Sequence, residues 1–410
     1  METTKNTTVG PIEARYREVG EELSGALRGL FEDVPVIRHV TGTVKVAGLL
    51  GIDKVLASRL LKSMRAGDPL ATLHAAPGPQ PLRRVIEGFE RLGVSPQASD
   101  RADRAVSEFE RLIREDAGDR SALQTLISAW LPEARREFEL RRKQSAFRAM
   151  SEIYGCLTET LLATVFLHPS ARDGMIDIVW LIGSLGLRRL RPNARVRFAS
   201  RRYSSPGQPR RPMTLGNERV EDLRGLLLSR FCNATDADLD VHEMGEVTRY
   251  VVAGDRGFAT PLDFVFAEVN REEIEQTLVP GATRSAYLFA EVDTPSRRLL
   301  FDVLLHESIY PGKHPRLLIY DTAFEGVASV NDRSRDLDRL ELEESVAVLD
   351  RGLRNLHTPA LLRYTEMVGE VFESMGWDSG DYRGFRTEID YPIYGSQVTM
   401  SFDPDGSGER

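Results

Sequence analysis

The chain of 410 residues contains only two cysteines, Cys156 and Cys232. They form neither a CxxC pair nor a metal-ligand spacing. That excludes a disulfide framework and leaves each as a small buried apolar residue. Lysine is scarce too: six of the 54 basic residues are lysines and the rest are arginines, a bias read first as genome composition. No stretch approaches the ~20 apolar residues of a membrane helix. The longest apolar runs, Leu161–Leu167 and Ile176–Ile182, have strand or buried-segment length. Met1–Gly10 is polar, so no secretory leader and no membrane association are expected, and a cytoplasmic location is. There is no internal repeat and no low-complexity segment. GxSxG, GxGxxG, GxxxxGK[ST] and HExxH are all missing, so no cofactor is expected.

What is present is the composition of a soluble globular protein, 41% hydrophobic and 28% charged, long enough for two or three domains. The net charge of −8 hides an asymmetry. Met1 to Val220 carries +9, and Glu221 to Arg410 carries −17. Between Asp177 and Glu218 no acidic residue interrupts Arg188, Arg189, Arg191, Arg195, Arg197, Arg201, Arg202, Arg210 and Arg211. That run reads either as a phosphate footprint or as a solvated face balanced by the acidic half.

Apolar periodicity predicts helices through the first 154 residues. Tyr16, Val19, Leu23, Leu27 and Leu30 keep helical spacing in the first; a long one starts at Pro132. Beyond Gly155 the pattern turns to strands at 157–167, 176–182, 196–198, 247–252, 264–269, 286–292, 299–305, 316–320, 385–391 and 397–402. Strands 286–292, 299–305 and 316–320, joined by short turns, predict an antiparallel meander. Helices are expected at 220–231, 340–353 and 359–375, and a loop at Ser204–Gly216. The expected fold class is α+β: a helical N-terminal region, then a largely antiparallel sheet. The expected divisions are 1–95, 96–154 (linker or dimerisation region), 155–403 and a flexible tail at 404–410.

One segment carries a motif. From Thr43 to Lys62 the residues describe two helices around a tight turn. Thr43 can cap the first helix. Ala47 is small where the helices cross. Gly51, four residues later, suits a positive φ. Ile52 can plug the corner, and Asp53 can cap the second helix. Val46, Leu50, Ala57, Leu60 and Leu61 supply the apolar interface. The second helix then presents Lys54, Ser58, Arg59 and Lys62 outward, with Arg65 beyond and Lys45 on the first helix. This segment resembles a helix-turn-helix of the DNA-binding type. Over a longer span it resembles a winged helix, in which Pro69–His74 would be a strand and Ala76–Pro81 the wing tip. The resemblance departs at Ala57, where a larger branched residue is common, and at Leu82–Leu92, which reads as helix. It implies that Thr43, Lys45, Lys54, Ser58, Arg59, Lys62 and Arg65 contact double-stranded DNA, and that a homodimer reads two half-sites. The acidic half would then sense a small-molecule or protein effector, or assemble the protein.

Other constellations are weaker. Asp236, Asp238, Asp240 and Glu243 lack the glycine and glutamate of a calcium loop, since Val241 and Val247 hold those positions. His306-Glu307 and His314 stand at predicted strand ends, where they could converge on a metal or a proton. A protein-interaction scaffold and an enzyme on the C-terminal sheet are the alternatives to a regulator.

Overall fold

The computed structural model describes residues 11–191, 194, 196–202, 213–220, 223–235, 238–244, 247–252, 260–278 and 281–404. The fold is α+β, in two compact units that divide between Glu139 and Leu140.

The first unit is helical: α1 (Pro11–Asp33), α2 (Thr43–Leu50), α3 (Lys54–Arg65), α4 (Pro69–Ala75), α5 (Pro79–Arg91), α6 (Pro96–Arg111) and α7 (Arg120–Trp130). The boundary between the units falls inside α8 (Pro132–Tyr154). The α1 stripe Tyr16, Leu23, Leu27 and Leu30 is buried as its spacing predicts. It joins a single core that continues through Val94, Phe109 and Ile127. The division expected at residue 95 therefore falls inside one core. Helices approach closely where glycine removes a side chain. A Cβ on Gly20 would stand 2.3 Å from the Pro69 carbonyl oxygen, and one on Gly88 would stand 2.6 Å from that of Leu50.

No wing follows α3. Pro69–His74 is helix, because Asp68 accepts hydrogen bonds from the Leu70 and Ala71 amides (2.8 and 3.3 Å) and Pro69 sits in the first turn. Arg17 fixes the same carboxylate at 2.8 Å, which helps hold Asp68 below the usual carboxylate range against the opposing effect of burial.

The second unit is built on a six-stranded sheet, ordered β10 (Ala347–Leu349), β11 (Tyr382–Asp390), β8 (Ser296–His306), β1 (Cys156–Pro169), β2 (Met175–Arg189) and β6 (Leu262–Glu275). β1 and β8 are parallel, and the other pairs are antiparallel. A smaller sheet, β7 (Ala286–Glu291), β12 (Ser396–Phe402) and β9 (Arg316–Asp321), covers one face through Leu288, Val398 and Met400. The other face is covered by α9 (Tyr364–Met375), through Tyr364, Met367, Val368 and Phe372. A third sheet joins β3 (Arg197–Arg202), β5 (Val247–Val252) and β4 (Leu239–Met244).

The expected meander does not form. β8 lies between β1 and β11, while β7 and β9 both flank β12. Two expected helices are absent as well. Residues 223–231 form short 3-10 turns, from which the Leu228 amide donates to the Val265 carbonyl. The 340–353 stretch is irregular but for one short strand: the Leu340 amide donates to Ile319, and 347–349 pair with β11. The expected loop at 204–216 falls mostly outside the described residues, as do Met1–Gly10 and the tail after 404.

The buried polar centre of the sheet is fully bonded. Arg386 donates to Asp302 through Nε (2.9 Å) and Nη2 (2.7 Å), and the Tyr364 hydroxyl donates at 2.5 Å. Thr164 reaches that hydroxyl at 2.9 Å, and Arg386 also bonds the Leu356 and His357 carbonyls. Burial pushes the Asp302 carboxyl up, opposed by Arg386 and Tyr364. The bidentate geometry keeps the Arg386 guanidinium charged against its own burial.

Candidate nucleic-acid interface

Glycine and aspartate shape the α2–α3 corner as the sequence expects. Gly51 adopts φ +65°, in the left-handed region, and the Ile52 amide closes on the Ala47 carbonyl. The Asp53 carboxylate accepts the Leu56 amide at 2.8 Å and caps α3. Val46, Ala47, Leu50, Leu56, Ala57, Leu60 and Leu61 are buried, and Ile52 packs on the same core. Thr43 differs from expectation: it is the first residue of α2, and Gly42, which has no side chain to offer, holds the cap position.

A helix turns about 100° per residue, so Lys54, Ser58, Arg59 and Lys62 fall on one exposed face of α3. Lys45 is exposed on α2, and Arg65 ends α3 exposed. The segment from Thr43 to Arg65 has five basic residues against one acidic residue, Asp53.

The arginines and lysines of this unit play different parts. The Arg91 guanidinium donates to the Leu50 carbonyl at the end of α2 (2.8 Å), and Arg28 to the Met64 carbonyl at the end of α3 (3.3 Å). Arg59 and Arg120 converge on the end of α4. Arg59 donates to Ala76 at 3.0 Å; Arg120 donates to Leu73, His74 and Ala76 at 2.9–3.1 Å. These guanidiniums satisfy the orphan carbonyls and oppose the negative dipole end of each helix. Burial, and then the charge of Arg59, lower the Arg120 pKa to about 10. Arg65 reaches back to the Thr41 carbonyl at 2.8 Å. Two of the expected DNA contacts, Arg59 and Arg65, thus already brace the helical corner.

The lysines are more available. Lys62 meets Glu137 at 3.5 Å, with its side chain 63% exposed, a pairing worth at most about 1 kcal/mol. Lys45, Lys54 and Lys62 are three of the six lysines in the whole chain. Sequence reasoning passed over Val55, which is 70% exposed on the same face. Its signal was an apolar residue set among the basic ones.

The arginine run is not one surface. Arg189 is buried, and Arg191 donates to the Ile153 carbonyl. Arg188 and Arg197 are exposed, while Arg195, Arg210 and Arg211 lie outside the described residues. In the acidic loop, Asp238 accepts from the Thr235 amide and hydroxyl (2.8 and 3.0 Å), and Asp240 lies on β4. Asp236 lies outside the described residues.

His306 meets a partner that sequence could not show. Its ring stands edge-on to His168 at 5.0 Å. His168 stacks on Trp377 at 4.4 Å, and its Nδ1 lies 2.7 Å from the Tyr382 hydroxyl. Burial, and then His306, lower the His168 pKa to about 4, so its ring is neutral at pH 7. His314 instead packs on Phe385, and Glu307 pairs with Arg351 at 2.8 Å. Among the described residues no three His, Cys, Asp or Glu groups are placed to hold a metal, and no helix is long and apolar enough to cross a membrane.

Comparison of the chain with protein-family models, curated proteins and solved structures finds no match.

Proposed function

We propose that the chain is a DNA-binding transcriptional regulator, its helical unit entering a major groove through α3. The observation that carries this reading is the division of roles on the α2–Gly51–α3 corner. One face of α3 is locked into the core and capped by Asp53, while the other presents Lys54, Ser58 and Lys62 to solvent. Lysine ammoniums suit phosphates, serine suits either a phosphate or a base edge, and Val55 suits a thymine methyl. Arg59 and Arg65 hold the corner and add charge beside the groove. A single such unit reads few base pairs, so the active form is a homodimer on two half-sites about 34 Å apart. The β-rich unit is the sensing or assembly part, and its acidic charge keeps it off DNA.

Reversing Lys54 and Lys62 together to glutamate tests the reading, because both are exposed and neither caps a helix. Retention of DNA by Lys54→Glu/Lys62→Glu at the native level would remove the assignment; abolished retention with unchanged helicity is the expected result. A second reading draws on the exposed apolar residues Val36, Val44 and Val55, at 57–70% exposure. It makes the same helical unit a protein-binding scaffold. Under it, binding of the partner would be weakened by Val55→Asp and hardly changed by salt.

A further inference from the structure

The second unit holds a cavity of about 300 Å³ between the face of β1, β2 and β6 and the edge strand β7. Its apolar lining includes Leu161, Ala163 and Ile182, with the aromatic rings of Trp180, Phe266 and Phe289. Its ionisable lining residues are Glu268, Glu291 and Asp293, all acidic. This volume stands at the low end of small-molecule sites, which run from about 300 to 1,000 Å³, so it suits a metabolite rather than a peptide. Aromatic faces carry a negative quadrupole and attract cations. Carboxylates do the same and repel anions.

We propose that this cavity binds a small organic cation, with an apolar body among Trp180, Phe266 and Phe289 and an ammonium directed toward Glu268, Glu291 and Asp293. The electrostatics of Asp293 agree. The residue is half-buried, with its carboxyl surrounded by protein atoms. That environment and the neighbouring Glu291 push its pKa up to about 8, against the lowering effect of Arg197. A bound ammonium beside Asp293 would favour its ionised form and displace that proton. That this ligand is the effector of DNA binding rests on the regulator reading; the binding itself does not.

The test titrates the full chain, without DNA, with phenethylamine and benzyltrimethylammonium. Phenethyl alcohol and 3-phenylpropionate serve as neutral and anionic counterparts. Heat and Trp180 fluorescence are the readouts, and a Trp180→Phe variant assigns the emission. The expected result is saturable binding of at least one cation, ten-fold or more tighter than either counterpart. Glu268→Gln/Asp293→Asn should weaken it ten-fold or more while keeping its thermal transition. Equal binding of cation and neutral analogue overturns the proposal, as does absence of saturable cation binding. So does undiminished binding by the folded double variant. Because DNA is absent, failure here leaves the DNA reading standing. Failure of Lys54→Glu/Lys62→Glu to lose DNA would leave the cavity standing.

Discussion

Replacing Arg386 by methionine should cost the β-rich unit more than any surface change. Asp302 is fully buried between β1 and β11 on the central strand β8. Arg386 supplies two of its three hydrogen bonds and also satisfies the Leu356 and His357 carbonyls. Removing the guanidinium leaves a buried carboxylate without its counter-charge, a loss of about 3–5 kcal/mol. At roughly 2–4 °C per kcal/mol for a domain of this size, the Tm should fall by about 10 °C. The pair itself adds much less. Asp302→Leu/Arg386→Met removes both charges together, so it should return to within about 2 kcal/mol of the native protein. Urea unfolding followed through Trp180 and Trp377, which both lie in this unit, reads the difference. A loss below about 1 kcal/mol for Arg386→Met would refute the reasoning. So would a double variant as unstable as the single one.

Other expectations follow from single contacts. Gly88→Ala would set a Cβ 2.6 Å from the Leu50 carbonyl oxygen, where backbone must shift; it should destabilise the helical unit by about 1–3 kcal/mol in thermal unfolding. Asp53→Ala removes the cap on α3 and should cost about 1 kcal/mol, measured the same way. The Asp293 carboxyl is protonated in the folded chain up to a pKa of about 8 but ionises in the unfolded chain near 3.8. The folded state therefore binds the extra proton between those values, and stability of the β-rich unit from this group falls as pH rises through that window. Asp293→Asn should flatten the slope of stability against pH, and an unchanged slope would count against the raised pKa. Amine binding at pH 7 should release close to one proton, seen by calorimetry in buffers of different ionisation enthalpy. Of the other groups around Asp293, Cys156 is pushed up to about 11, chiefly by burial. Tyr394 is pushed up too, by burial and by the Tyr154 hydroxyl, so both stay protonated; Glu291 raises the Asp293 pKa and Arg197 lowers it.

The local code of the helical unit was readable because its determinants lie close in sequence. Gly51 and Asp53 act within four residues of their positions, and the α1 stripe repeats every three or four. The Asp68-Pro69 pair is an equally local helix start, a capping carboxylate followed by proline in the first turn. Strand pairing was not readable. The turn between 291 and 296 sends β8 into a different sheet from β7, and its partners β1 and β11 are set by packing across the chain. At 340–353 a helical spacing lost to burial: Leu340, Leu342 and Val346 pack on the sheet core without forming a helix. In the α3 face, charge and spacing showed which side chains point outward. They did not show that Arg59 would find the Ala76 carbonyl at the end of α4, or Arg65 the Thr41 carbonyl ahead of α2, because those carbonyls come from other segments. The His168–His306 meeting and the aromatic, acidic cavity join distant strands, and no short motif encodes either.

The most direct test of the central claim is selection of fragments of the source genome by the full chain at several salt concentrations, with the retained DNA sequenced. The account predicts enrichment of a two-fold symmetric site. Its log affinity should fall linearly with log salt, and Lys54→Glu/Lys62→Glu should retain none of that DNA. Uniform weak retention that vanishes by moderate salt, with no enriched site, would contradict it.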